Sequence, residues 1–125
     1  MSPRLLLVDD DDDIRTIVRM SLERIGGWSV VDVSSGQDAI EAASHGGHFD
    51  AVVLDVMMPG LDGPATLARL RDGVLPPTVP IVFLTAKIDR ADREALVALG
   101  AVGTLRKPFD PVTLSAELER VLAPS

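Results

Sequence analysis

Five short apolar runs, each followed by a stretch with helical spacing, constrain this chain more than any other feature. The runs are Leu5–Val8, Val30–Val33, Ala51–Leu54, Ile81–Leu84 and, more weakly, Val102–Leu105. Apolar runs without period-two alternation suit strands buried on both faces, as in a parallel sheet. Between them the spacing turns helical. Ile14, Ile17, Val18, Leu22 and Ile25 fall at i, i+3 and i+4, and Gly26-Gly27 stops that helix. Ser35 to Asp38 resembles a capping box ahead of Ala39, Ile40 and Ala43. Pro64 to Arg71, Asp89 to Leu99 and Pro111 to Leu122 supply three further helical stretches. Alternating β and α elements imply a parallel sheet with helices on both faces and right-handed crossovers. We therefore expect an α/β fold, five strands in the flavodoxin-like order 2-1-3-4-5, flanked by five helices.

All 125 residues read as one domain, residues 1–125, long enough to bury a core without staples. The chain has no cysteine, which excludes a disulfide scaffold, thiol chemistry and cysteine-based zinc sites. A net charge of −7 argues against unaided binding to nucleic acid or to an anionic membrane. Three Phe, one Trp and no Tyr leave little material for a base-stacking platform. The run Leu5-Leu6-Leu7-Val8 is too short for a signal peptide or a membrane span, so a cytoplasmic location is expected.

In a sheet of this order, ligands bind beyond the carboxyl ends of the strands, beside the switch point between strands 1 and 3. Strand 1 runs into Asp9-Asp10, strand 3 into Asp55, strand 4 into Thr85 and strand 5 into Lys107-Pro108. Three carboxylates brought together there repel one another unless a cation is present. Hard oxygen donors favour Mg²⁺. A lysine and a hydroxyl nearby would complete a pocket for a phosphoryl group, and an aspartate can act as its nucleophile. Each residue alone has an ordinary reading. Asp9 to Asp13 is an acidic run of the kind usually found in solvated loops or first helical turns. Asp55 can sit in a plain strand-to-loop turn and Thr85 can be a cap. The joint pattern, one suitable group at each of four strand ends, is what points to a site.

These stretches resemble the receiver domains of two-component response regulators, of the chemotaxis type. The resemblance rests on Leu5-Leu6-Leu7-Val8-Asp9-Asp10-Asp11, on Asp50 through Gly60, on Leu61-Asp62-Gly63, on Leu84-Thr85-Ala86 and on Lys107-Pro108-Phe109. It covers the whole chain in order. It implies that Asp55 accepts a phosphoryl group from a histidine kinase or histidine phosphotransfer protein. Asp9, Asp10, Asp55 and the backbone carbonyl of Met57 would hold Mg²⁺, directly or through water. Thr85 would hydrogen-bond the phosphoryl oxygens, Lys107 would pair with them, and the Lys107–Pro108 peptide would be cis. The face formed by helix 4, strand 5 and helix 5 would change and bind a downstream protein target.

One departure stands out. Where most receivers carry a Tyr or Phe three residues before the strand-5 lysine, this chain has Thr104. Met57 and Lys87 occupy the two variable positions that flank the pocket in relatives. His45 and His48 fall in a Gly-rich loop away from the expected site, and Trp28 is expected to begin strand 2 at the opposite end of the sheet. The leading expectation is a single-domain receiver, not an enzyme beyond its own phosphorylation and dephosphorylation, with no nucleic-acid or membrane partner. The alternatives are a receiver excised from a hybrid kinase or a longer regulator, a pseudo-receiver that only binds, and a haloacid-dehalogenase-type phosphatase. The last needs a second acid two residues after its nucleophile, and Met57 stands there.

Overall fold

The computed structural model describes residues 2–86 and 89–123. Five strands and five helices alternate: β1 (Arg4–Val8), α1 (Asp12–Arg24), β2 (Ser29–Val33), α2 (Gly36–His45), β3 (Ala51–Asp55), α3 (Gly63–Arg71), β4 (Ile81–Thr85), α4 (Arg90–Ala98), β5 (Gly103–Arg106) and α5 (Leu114–Leu122). All strand pairs are parallel and the order is β2-β1-β3-β4-β5, as the βα alternation implies.

Successive strand side chains point to opposite faces, so each central strand feeds two cores. On one face Leu6, Val8, Val52, Leu54 and Phe83 meet Ala39 and Ala43 of α2 and Leu67 and Leu70 of α3. On the other, Leu5, Leu7, Val53 and Leu84 meet Val18 and Leu22 of α1 and Leu114 and Leu118 of α5. Truncating one of these leucines to alanine costs about 2–5 kcal/mol.

Burial on both faces is complete only in the centre. Every residue of β3 and β4 is buried, whereas β2 has one buried residue, Val30, and β5 has one, Leu105. The edge strands therefore depart from the expectation drawn from their apolar runs. Asp32 in β2 is held by two arginines of α1, and Thr104 and Arg106 open β5 towards solvent. Three boundaries also move. Trp28 lies just before β2, which starts at Ser29, and β5 spans Gly103–Arg106 in place of Val102–Leu105. Helix α5 begins at Leu114, three residues after Pro111. Asp110 turns the chain first, its carboxylate accepting from Val112 N and its carbonyl from the amides of Thr113 and Leu114.

Helix starts follow their sequence signals. Ser35 caps α2 by accepting from Asp38 N, Asp62 caps α3 by accepting from Ala65 N, and Asp89 caps α4 by accepting from Asp92 N. Gly27 takes a positive φ of 72° and closes the turn after α1, a conformation glycine adopts without strain. No described helix is long and apolar enough to cross a membrane.

Candidate functional site

The strand register sets the site. Val8 pairs with Leu54, Asp55 with Leu84 and Thr85 with Arg106. Asp9, Asp55, Thr85 and Lys107 therefore arrive at nearly the same level, at the carboxyl end of the sheet. Gly63 draws the following loop in. A side chain there would put its Cβ 2.3 Å from the Asp55 carbonyl oxygen, and Gly63 N donates to Val56 O at 2.9 Å. The loop from Val56 to Asp62 is thus pinned against the end of β3, with Met57 at its lip, 77% exposed.

The five aspartates of the acidic run do different work. Asp9 is fully buried, and one of its carboxylate oxygens accepts from Asp11 N at 2.9 Å. Asp11 caps α1, accepting from Asp13 N and Ile14 N. Asp12 and Asp13 lie in the first turn, where the helix dipole favours negative charge. The solvated-turn reading is thus correct for Asp11 to Asp13 and wrong for Asp9.

Asp9, Asp10 and Asp55 each place a carboxylate oxygen within 4.8 Å of the others. Lys107 Nζ lies 2.8 Å from Asp9 Oδ2 and 3.4 Å from Asp55 Oδ1. Three carboxylates against one ammonium leave two negative charges unbalanced. The donor set, all oxygen and short by two positive charges, fits a hard divalent cation. Burial and the charge of Asp9 push the Asp55 carboxyl up to about 6, against the pull of Lys107 and the Met57 amide. Burial opposes the charge on Lys107, but its contacts with Asp9 and Asp55 outweigh it and hold the ammonium above its ordinary range. An ammonium so held is charged at neutral pH and available to an anion.

Asp55, Met57, Thr85, Ala86 and Lys107 line an open cavity of about 230 Å³. Thr85 is buried at its wall, and its backbone carbonyl accepts from Lys107 N at 2.9 Å. The Lys107–Pro108 peptide is cis. Asp9, Asp10, Asp55, Met57, Thr85 and Lys107 are thus brought together, while Lys87 lies outside the described residues. His48 sits at the other end of the sheet, Nε2 2.7 Å from Asp50 Oδ1, and His45 lies 3.6 Å from Glu41; both are exposed.

Arg15 also supports the site, although the strand-end pattern does not point to it. Arg15 Nη1 donates to the Asp9 carbonyl at 2.8 Å, while its other nitrogens bind the carboxylates of Asp12 and Asp32. It ties the acidic loop to α1 and β2. The available signal was a lone cation two residues beyond a run of five acids.

The response regulator receiver domain family model matches residues 5–119. The alkaline phosphatase synthesis transcriptional regulatory protein PhoP of Bacillus subtilis is 37% identical over 122 residues, 98% of this chain and 49% of that protein. The response regulator Rre1 of Synechocystis is 38% identical over 120 residues, 95% of this chain and 51% of that protein. The chain spans about half the length of these curated relatives. Among solved structures, the chemotaxis response regulator CheY4 of Vibrio cholerae superposes with a TM-score of 0.90 at 33% identity, covering 98% of this chain and all of that one.

Proposed function

The chain belongs to the response regulator receiver family, and on that premise we propose that Asp55 accepts a phosphoryl group with Mg²⁺ from a histidine kinase or histidine phosphotransfer protein. One observation carries the reading: the Asp55 carboxylate sits between a carboxylate cluster fit for a divalent cation and the Lys107 ammonium. In the transfer, an Asp55 oxygen forms a bond to phosphorus as the donor's nitrogen–phosphorus bond breaks, and the imidazole leaves with a proton. Asp9, Asp10, Asp55 and the Met57 carbonyl would hold the metal. When bound, Mg²⁺ would neutralise the carboxylates that otherwise repel the incoming phosphoryl oxygens. Lys107, freed from part of its pairing with Asp9 and Asp55, turns its charge to the phosphoryl group. The Thr85 hydroxyl, on a residue that lines the cavity, would donate to a phosphoryl oxygen. Positioning and charge balance provide most of the catalysis in such transfers.

The chain works here as a signalling module and not as a turnover enzyme: it catalyses only its own phosphorylation and dephosphorylation, then presents a changed surface to a downstream protein. The phosphatase alternative gains no support, since exposed Met57 offers no acid beside Asp55. The test is incubation with acetyl phosphate and Mg²⁺ followed by intact mass. One added phosphoryl group is expected, absent without Mg²⁺ and absent in Asp55→Asn. Equal labelling of that variant would defeat the assignment.

A further inference from the structure

The chain has no cysteine, so an oxidant that reaches it can act on sulfur only at methionine. Among the described residues the methionines differ sharply in exposure. Met57 is 77% exposed, Met20 44% and Met58 8%. Met57 and Met58 are neighbours in the loop after β3, yet Met58 packs into the core that α2 and α3 cover. Oxidation of a side chain by peroxide follows its exposure. One member of this pair is therefore open to attack and the other is shielded.

The place of Met57 gives its oxidation a consequence. Met57 lines the cavity that holds Asp55 and Lys107, and its amide lies 3.4 Å from Asp55 Oδ1. It also lines a second, largely apolar hollow of about 280 Å³, with Val56, Pro64, Leu96 and Leu99. One residue thus borders an apolar space and a charged one. A thioether suits the apolar space, being flexible and a weak acceptor. A sulfoxide is polar and its oxygen accepts strongly, so placing it against apolar walls without a partner is costly. Oxidation therefore shifts this side chain's preference from the hollow to the water and the ammonium at the cavity mouth.

We propose that Met57 is a site of reversible oxidation by hydrogen peroxide, and that its sulfoxide shortens the life of a phosphoryl group on Asp55. In the step, a sulfur lone pair forms a bond to one peroxide oxygen as the oxygen–oxygen bond breaks. The departing hydroxide takes the proton of the transferred oxygen and leaves as water, so sulfur is oxidised and the peroxide reduced. A methionine sulfoxide reductase reverses the change, two thiols becoming a disulfide as the oxygen leaves as water. Hydrolysis of an acyl phosphate needs a water in line with the bond that breaks. The thioether is a poor acceptor for such a water, whereas a sulfoxide oxygen two residues from Asp55 can hold it by accepting its hydrogen bond. The effect on lifetime rests on the function proposed above; the oxidation site does not.

The experiment treats the protein with hydrogen peroxide, removes the oxidant with catalase and maps the sulfoxides by peptide mass. Oxidation of Met57 ahead of Met20, with Met58 spared, is expected, and methionine sulfoxide reductases acting on both epimers should reverse it. The protein is then phosphorylated, the donor removed and the loss of the phosphoryl group followed. Oxidised protein should lose it several-fold faster than untreated protein, with near-native melting, and the reductases should restore the slower rate. In Met57→Leu, peroxide should leave that variant's rate where it stood, while Met20→Leu keeps the full response. Met57→Gln, which sets a carboxamide acceptor at the same place, should lose the phosphoryl group faster than Met57→Leu with no oxidant present. Oxidation of Met20 or Met58 before Met57, an unchanged rate in the oxidised protein, a peroxide response that survives in Met57→Leu, or equal rates in Met57→Leu and Met57→Gln would overturn the proposal. If the protein takes up no phosphoryl group at all, the function proposed above fails, and the peptide map alone decides whether Met57 is the oxidation site.

Discussion

Asp55 shows how a residue's chemistry follows from its position. Its pKa of about 6 lies above the ordinary carboxylate value of 3.8, so the folded chain holds this proton more tightly than the unfolded chain. Between those two values the native state binds more protons, and stability must fall as pH rises. The loss is on the order of 2–3 kcal/mol and is complete just above the folded value. Without Mg²⁺, denaturant titrations from pH 4 to 7 should show this decline, and Asp55→Asn should remove most of it. A wild-type profile as flat as the variant's would mean that Asp9 and burial do not strain the carboxylate. Arg15 supports the same site through the Asp9 carbonyl. Arg15→Lys should weaken Mg²⁺ binding by several-fold in calorimetry, because an ammonium cannot span three acceptors. Arg19→Ala, which loosens Asp32 without touching Asp9, should lower the melting temperature and leave Mg²⁺ affinity unchanged. The sequence announced Asp55 and Lys107 because strand ends are chemically conspicuous. It hid Arg15, whose partner is a backbone carbonyl that no side-chain pattern records.

Elements were legible where burial dictated them. β1, β3 and β4 carry unbroken apolar runs because helices cover both their faces. The edges were harder, since β2 and β5 meet water on part of their surface and their ends are set by local turns. The Asp110 turn delayed α5 to Leu114, although Pro111 is an acceptable helix start. The approach of α3 to β3 depends on Gly63, a requirement that the Asp62-Gly63 pair only hinted at. Gly63→Ala would drive a methyl into the Asp55 carbonyl, and overpacking of this kind costs about 1–3 kcal/mol. Chemical denaturation should show that loss together with weaker Mg²⁺ binding, because the Met57 loop moves with α3. A variant as stable as wild type would show that the contact relaxes freely.

Across the whole molecule, the carboxylate cluster and Lys107 gather at the carboxyl end of the sheet, while Arg4, His48 and Asp50 pair at the other. Topology was readable because five βα units admit few arrangements, and the order placed the site before any side chain was located. The acidic cluster at the strand ends was readable in the sequence, whereas the gathering of Arg93, Arg106 and Arg120 along β5 became visible only with the fold. A cation that binds the native state alone raises stability by about 2.7 kcal/mol at one hundred times its Kd. Saturating Mg²⁺ should therefore raise the melting temperature, while Trp28 emission, from the far end of the sheet, stays nearly constant. A strong Trp28 response would place the cation elsewhere. The central claim, that Asp55 carries the phosphoryl group, is tested most directly by trapping the product. Borohydride reduces an acyl phosphate to the alcohol, converting a phosphorylated aspartate into homoserine. After labelling with acetyl phosphate and Mg²⁺, peptide mapping should find homoserine at position 55 and aspartate at positions 9 and 10. Homoserine at either of those positions, or at none, would contradict it.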